Sequence, residues 1–537
     1  MNAPTLTPEP FGPPAVRCTP QVTVLPLRGA APPVVVLKRL RASRPGLALL
    51  ETGSRGEPEL EGARHSFVLA RALLRVTLRG RRATVRALVP AGEPLLPLLA
   101  ARIANAAVAG GELRAELPES LPVPGVPDDE LLRGPCVLDA LRAAAGLLGD
   151  RGPAPLPLPP GVFGFLGYEL VDQFEPLPAR RPDLLGEADA ELVLGADFAL
   201  YDHRAGTVAA VTRGLPFESR REAEGRHREL LAALQQPAPP IEHFRDAAPM
   251  PARFDVDDAA FLDGVRTLQR HIAAGDLFQA VLSRGCTMQG DAPSLRVYRA
   301  LAQRNPSPYL FHLDLDHSEL LGSSPETFVR VADGELELRP IAGTAPRGFA
   351  ADGTIDDDLD ARLALALLGD DKERAEHAML LDLARNDVAR IARPGSTRVV
   401  QQFALERYSH VQHLVSRVRG ALRPELDALH AYRACANAGT LTGAPKPMAM
   451  ALVRELEPAA RGCYGGAVGY LLQDGRCDTC IAIRSLRHRG GGWSARAGAG
   501  IVAQSDPERE LQETAHKLLA PRTALAMALA AGEEDAR

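Results

Sequence analysis

Gly439-Thr440-Leu441-Thr442-Gly443-Ala444-Pro445-Lys446 is the densest small-residue run in this chain. Glycine removes the Cβ and threonine adds a hydroxyl donor, so the backbone amides of such a run can approach a bound anion closely. Two acidic pairs stand at helical spacing: Glu373 and Glu376 within Asp371 to Ile391, and Glu510 and Glu513 after Pro507, with Lys517 on the same face. Residues three and four apart share a helix face. On spacing alone, these pairs read as solvated surface.

Other chemistry-bearing groups are weaker by parity. Cys477-Asp478-Thr479-Cys480 leads into Ile481-Ala482-Ile483-Arg484, which reads as a strand, and residues three apart in a strand point to opposite faces. The pair is therefore no metal or redox couple. His410 and His413 fail as a ligand pair for the same reason, since Val411, Val415 and Val418 suit an extended segment. Of 62 basic residues only four are lysines (Lys38, Lys372, Lys446 and Lys517), and two of these stand in the segments with chemical potential. Ammonium and guanidinium are not interchangeable.

These groups need elements to hold them. Phe261, Val265, Leu268 and Ile272 recur at helical spacing behind Asp255, Asp257 and Asp258, which predicts a helix ending near Gly275. Phe278 to Arg284 reads as a strand with Phe278, Ala280 and Leu282 on one face and Gln279, Val281 and Ser283 on the other; periodicity leaves open whether the second face meets solvent or a cleft. A buried strand entering a turn is predicted at Gly161 to Glu169, after a proline-rich internal loop at Pro153 to Pro160. Five prolines between Gln235 and Arg253 mark a linker. The domains expected are thus 1–234 and 254–537, joined by 235–253.

A length of 537 and 46% apolar residues suffice for buried cores. The net charge of -5, with no basic run interleaved with aromatics, gives no nucleic-acid footprint. No stretch of about 18 apolar residues predicts a membrane span, and Met1 to Ala15 does not read as a signal peptide, so the expected location is the cytoplasm. Seven scattered cysteines fit reduced thiols.

Further segments complete a series: Ser323-Ser324-Pro325-Glu326, Pro340-Ile341-Ala342-Gly343-Thr344-Ala345-Pro346-Arg347-Gly348, Tyr464-Gly465-Gly466-Ala467-Val468-Gly469-Tyr470 and Ala497-Gly498-Ala499-Gly500. In this order, from about Val162 to Leu519, they resemble the chorismate-utilising enzymes, specifically the large subunit of anthranilate synthase. The fold this implies is α+β, two interleaved domains with large antiparallel sheets flanked by helices. The resemblance makes Glu376 and Glu513 direct ligands of Mg²⁺, with Glu373 and Glu510 supporting its water shell. It places the ring carboxylate of chorismate on the metal and the enolpyruvyl carboxylate on Arg484, Tyr464 and the amides of Gly498, Ala499 and Gly500. On the predicted strand Arg484 shares a face with Ala482 and Cys480, so it can point into the cleft while Ile481 and Ile483 fill the core. Gly343, Thr344, Thr440 and Lys517 are the remaining substrate-contact positions. Glu326, flanked by apolar residues that suit a raised pKa, matches the acid that protonates the departing C4 hydroxyl, and His413 matches the histidine associated with pyruvate loss.

Two positions separate the chemistries within this family. Isochorismate- and salicylate-forming relatives carry a lysine base where this chain has Gln279, which favours ammonia over water as nucleophile. Aminodeoxychorismate synthases often carry a nucleophilic lysine where this chain has Ala342, and alanine cannot attack. The implied reaction converts chorismate and ammonia to anthranilate and pyruvate, the first committed step of tryptophan biosynthesis. No cysteine has the Gly-x-Cys-x-Gly setting of an amidotransferase nucleophile; Cys463, within Arg461-Gly462-Cys463-Tyr464-Gly465, lacks the second glycine. A separate glutamine amidotransferase subunit is therefore the expected partner. Leu49-Leu50-Glu51-Thr52 with Asn305-Pro306-Ser307-Pro308-Tyr309-Leu310 resembles the family's L-tryptophan site, with Thr52 and Leu310 departing from its usual serine and methionine. Retained inhibition is expected, through Glu51, Thr52, Pro308, Tyr309 and Leu310. The competing readings are an aminodeoxychorismate synthase, distinguished by a product that keeps its enolpyruvyl group, and a non-catalytic tryptophan-sensing subunit. The full set of acidic and basic residues argues against the second.

Overall fold

The computed structural model describes residues 10–53, 64–151, 158–240, 242–350, 352–408 and 411–535, with side chains described as far as 531. His410 and most of the Pro153 to Pro160 cluster lie outside them. The described strands join in a connected network of antiparallel pairings, in which Val16–Pro26 alone makes a parallel pairing, with Leu148–Asp150. The early and late parts of the chain are interleaved through this network. Ala48–Glu51 pairs with Tyr309–Asp314, and the wholly buried strand Gly161–Leu166 pairs with Ala467–Leu472. Helices flank the sheets, so the architecture is α+β with large antiparallel sheets, as the resemblance implies.

The helix predicted from Phe261 onward is Asp258–Ala274. Its cap is Asp257, whose side chain accepts from the Ala260 amide, and Gly275, left-handed at φ 86°, ends it. Phe261, Val265 and Leu268 pack on Ala280, Leu282, Ala499 and Ile501. Burying each such side chain contributes about 1.5–3 kcal/mol, which fixes this helix against the strand Gln279–Gln289. That strand begins one residue later than predicted, and Phe278, expected on its core face, is 72% exposed. Its other face does not meet water: Gln279, Val281 and Ser283 are all buried.

Both acidic helices form. Asp371–Ala389 is capped by the Asp370 carboxylate, which accepts from the amides of Lys372 and Glu373. Pro507–Lys517 is capped by Asp506 and carries its proline in the first turn, where no amide is needed. A further helix, Leu519–Asp535, follows and packs on Ser294–Arg304; its uniform alanine and leucine content gave no helical stripe to read. The described residues between 237 and 252 form neither helix nor strand, yet Phe244 is buried and its backbone is bracketed by the side chain of Gln303 at 3.0 and 2.8 Å. All seven cysteines are free and buried. No helix among the described residues is long and apolar enough to cross a membrane.

Candidate active site

The strand Gln279–Gln289 is the spine of the site. Along one edge it pairs with Gly492–Ile501, which sets Gly500 opposite Val281 and Gly498 opposite Ser283; along the other, Gln279 and Ala280 pair with Ala444 and Gly443. A Cβ on Gly500 would stand 2.8 Å from Gln279 Nε2, so glycine there leaves the amide its place. Ala499 turns into the core with no exposure. Gln279 Nε2 donates to Glu376 Oε1 at 3.1 Å.

Four carboxylates approach across the two acidic helices. Burial raises the pKa of Glu376, and the charges of Glu373 and Glu513 raise it further. Glu373 and Glu510 are raised chiefly by burial as well, each also feeling Glu513. Lys517 Nζ lies 2.6 Å from Glu513 Oε1 and donates to the Gly498 carbonyl at 2.9 Å, so this lysine ties the helix to the glycine strand. No group of three or more His, Cys, Asp or Glu among the described residues is disposed to hold a metal ion by itself. The donor set nevertheless fits a hydrated Mg²⁺, which takes hard carboxylate oxygens from few side chains and completes its shell with water and substrate oxygens. Mutual repulsion of these carboxylates is what a divalent cation would relieve.

Glu326 lies between the strands Glu319–Ser324 and Thr327–Ala332. It accepts from the Thr440 hydroxyl at 2.8 Å, and burial pushes its carboxyl up to about 7 against the lowering pull of that hydrogen bond and of Lys517 and Arg339. It lines a cleft with Thr440, Arg339 and Asp387. Thr440 reaches it from a short helix, Gly439–Thr442, and Lys446 is spent on Asp387 at 2.6 Å and the Cys435 carbonyl at 2.7 Å. The small-residue run is thus a packed turn whose one cation is already paired.

His413 and Thr344 face each other on paired strands, Val411–Ala421 and Ile341–Pro346, with Thr344 Oγ1 2.9 Å from His413 Nδ1. Burial drives the imidazole down to about 4, and the Arg484 and Arg339 charges add to this, so the ring is neutral near pH 7. Gly343 sits in an irregularity of that pairing at φ 79°, where a Cβ would stand 3.3 Å from Glu373 Oε2. The strand reading of Arg484 is corrected here. The strand Cys477–Ile481 ends three residues short of it, and Arg484 itself is left-handed at φ 51°. Cys480 and Ala482 are core residues, not cleft-facing ones. Arg484 reaches the Tyr464 turn instead because Gly465 N–H donates to the Ala482 carbonyl at 3.0 Å and Ala482 N–H to the Gly466 carbonyl at 2.8 Å. Burial lowers its pKa. Tyr464 is buried and its phenol is pushed up to about 12.

The residues that resemble the family's tryptophan site also meet. Leu310 pairs with Glu51, Gly53 N–H donates to the Ser307 carbonyl at 2.9 Å, and Tyr298 Oη donates to Glu51 Oε2 at 2.6 Å. Pro308 directly precedes that strand. Tyr309 bonds Thr327 Oγ1 at 2.9 Å and Asp478 Oδ1 at 3.0 Å. Thr52 is buried with its amide on Ser66 Oγ at 3.1 Å and no partner for its own hydroxyl among the described residues.

Over residues 114–522 the chain matches the family model described as chorismate binding enzyme. It is 39% identical to anthranilate synthase component 1 of Vibrio cholerae, over 92% of this chain and 94% of that protein. The chain belongs to the chorismate-binding enzymes. Within them it is 42% identical to the pyocyanine-specific anthranilate synthase component 1 of Pseudomonas aeruginosa, over 89% of this chain and 90% of that one. Among solved structures it resembles anthranilate synthase component I of Streptococcus pneumoniae at 29% identity and a TM-score of 0.67, covering 88% of this chain and 94% of that chain.

This chorismate-binding enzyme also holds site residues that sequence reading passed over. Arg461 bonds Glu457, the Leu441 carbonyl at 2.7 Å and the Val281 carbonyl at 2.7 Å, while its guanidinium lies 4.6 Å from the Tyr168 ring. It clamps the central strand to the turn that carries Thr440. Glu457 in turn accepts from Ser283 N and Oγ at 2.7 Å. Lone arginines recur throughout an arginine-rich chain, so only the fold picks this one out.

Proposed function

We propose that this enzyme is the synthase component of a two-component anthranilate synthase, a carbon–oxygen lyase that turns chorismate and ammonia into anthranilate and pyruvate. The observation that carries this reading is the pairing of a buried acid with a missing base. Glu326 keeps its proton to about pH 7, as a general acid must. Gln279, which has no basic lone pair to activate water, stands bonded to Glu376. Ammonia needs no deprotonation before attack.

In this reading Glu326 gives its proton to the C4 hydroxyl as ammonia bonds to C2, so water departs and aminodeoxyisochorismate is left. Pyruvate is then eliminated and the ring aromatises beside His413, which the buried site keeps as the neutral imidazole. Arg484 and Tyr464 hold the enolpyruvyl carboxylate together with the Gly498, Ala499 and Gly500 backbone, and arginine's donor fork suits it to that task. Thr344 and Gly343 border the His413 side of the substrate and Thr440 the Glu326 side. Glu376 and Glu513 would hold Mg²⁺ directly, with Glu373 and Glu510 on its waters; bound there, the ion supplies the positive charge that lets a dianionic substrate enter an acidic cleft. Ala342 offers only its carbonyl, which lies 3.2 Å from His377 Nδ1, so no covalent adduct forms there.

Ammonia comes from a glutamine amidotransferase partner. In support, Cys463 is buried and its thiol is pushed up to about 12, which leaves no thiolate for glutamine hydrolysis. L-Tryptophan inhibits through Glu51, Thr52, Pro308, Tyr309 and Leu310, and the enzyme works in the cytoplasm at the entry to tryptophan biosynthesis. The test is an anthranilate fluorescence assay on the purified chain with chorismate, Mg²⁺ and excess ammonium at mildly alkaline pH. A signal lost on chelation is expected. Chorismate consumption without fluorescence would instead indicate an aminodeoxychorismate product, and no consumption would overturn the assignment.

A further inference from the structure

Arg339 opens the two-residue connection between the strand Glu335–Leu338 and the strand Ile341–Pro346, which carries Gly343 and Thr344. It is buried and lines the same cleft as Glu326 and Thr440. Its guanidinium pairs with Glu406, and Nη2 lies 3.3 Å from Tyr408 Oη, which itself donates to Glu406 Oε2 at 3.0 Å. The Tyr408 ring meets the His413 ring edge-on, with centroids 5.4 Å apart. Arg339 Nε is buried and finds no acceptor among the described residues. An unmet buried donor is costly to keep and calls for a reason. The side chain is thus fixed at one outer nitrogen, Nη2, and unsatisfied at the inner one, Nε, and its charge acts on both Glu326 and His413.

We propose that Arg339 is a further positioning residue of the reaction, a cation locked in the cleft wall by Glu406 and Tyr408 that sets the charge balance between Glu326 and His413. The proposal rests on the reading of Glu326 as the acid. Around Glu326 stand the Thr440 hydroxyl, the cations Lys517 and Arg339, and Asp387, whose charge is met by Lys446. Around Arg339 stand Glu406, Tyr408 and Tyr309, with Arg417 3.7 Å from Glu406. Lys517 is already engaged by Glu513 and the Gly498 carbonyl, whereas Arg339 is tied through Tyr408 to the His413 side. A cation so placed disfavours imidazolium at His413 and favours carboxylate at Glu326. It therefore opposes the burial that protonates Glu326 and keeps the acid's working range near neutrality.

The test compares kcat/KM against pH for anthranilate formation by the whole chain, with chorismate, Mg²⁺ and ammonium, in the wild type, Arg339→Gln and Glu406→Gln. The free-ammonia fraction changes with pH identically in all three, so differences belong to the protein. In Arg339→Gln the falling limb should move to higher pH, by on the order of one unit, with kcat down about tenfold and KM within about threefold. In Glu406→Gln, where the cation is left uncompensated, the limb should move to lower pH. Opposite displacements separate this role from simple loss of packing, and Glu406→Gln decides the matter by its direction if Arg339→Gln fails to fold. Coincident limbs, or two variants displaced the same way, would overturn the role of Arg339 while wild-type activity leaves the proposed function standing. A wild type that consumes no chorismate would remove both.

Discussion

Gln279 Nε2 donates to Glu376 Oε1 across 3.1 Å, joining the central strand of the site to the first acidic helix. The contact holds one carboxylate oxygen without adding charge. Replacement Gln279→Lys puts a cation on that carboxylate, where it would compete with the proposed Mg²⁺. We expect anthranilate formation to fall more than tenfold and the Mg²⁺ concentration for half-maximal rate to rise; an unchanged Mg²⁺ titration would detach Glu376 from the metal.

Glu326 couples activity to stability in opposite senses. Its folded pKa of about 7 lies above the ordinary 4.5, so the folded state holds this proton more tightly than the unfolded chain. That contribution is fully present below pH 4.5 and is lost as pH rises through 7. Its size is about 3 kcal/mol, taken as an order of magnitude. Glu326→Gln should therefore lower kcat by about 10²–10⁴-fold yet raise the melting temperature relative to the wild type at pH 8–9, and much less at pH 5. Equal shifts at both pH values would mean that the carboxyl is not buried as neutral acid.

Glu513 offers a separate handle on the proposed metal. In Glu513→Gln the proposed ion loses one of two direct anionic ligands, and Lys517 loses the negative charge of its 2.6 Å partner. Wild-type protein should melt higher with added Mg²⁺, by the equivalent of about 2.7 kcal/mol at a hundredfold excess over Kd. The variant should show little such shift and a rate lower by more than about a hundredfold. Survival of activity with unchanged Mg²⁺ dependence would refute the ligand pair.

Gly443 tests the backbone rather than the chemistry. It is left-handed at φ 133°, and an added Cβ would run into the Gln279 carbonyl and the Ala280 Cα of the paired strand. Neither neighbour is a flexible side-chain end, so Gly443→Ala should cost about 1–3 kcal/mol and displace Gln279 with Thr440. Chemical denaturation and kcat would fall together.

What the sequence revealed of this site followed periodicity and caps. The helices Asp258–Ala274, Asp371–Ala389 and Pro507–Lys517 carry local signals, namely a capping aspartate, an apolar stripe or a first-turn proline, and were legible from them. Strand parity misplaces Arg484 because it assumes that the strand continues, whereas the strand ends at Ile481 and a left-handed residue re-aims the side chain. The same extension, at the other end of a strand, misplaces Phe278. The clamps formed by Arg461 and Lys446 left no trace: Lys446 finds its partner 59 residues away, and Arg461 acts mainly on backbone carbonyls, which any residue supplies. Roles at Glu326 and His413 came from resemblance, since a lone carboxyl or imidazole acquires its character from burial that no spacing encodes.

Thr52 carries the last prediction. Its hydroxyl is buried beside Glu51 without a hydrogen-bond partner among the described residues, an arrangement that costs about 1–3 kcal/mol in the free protein. A ligand amine or carboxylate reaching the Glu51–Leu310 strand pair would satisfy it, which explains keeping threonine there in place of an apolar residue of the same shape. Thr52→Val removes the hydroxyl and keeps the volume. The unliganded variant should be as stable as the wild type or more so, while isothermal titration should show L-tryptophan binding weaker by about tenfold, the worth of one hydrogen bond. Unchanged affinity would place the amino acid away from Thr52, and no heat with the wild type would remove the tryptophan site altogether.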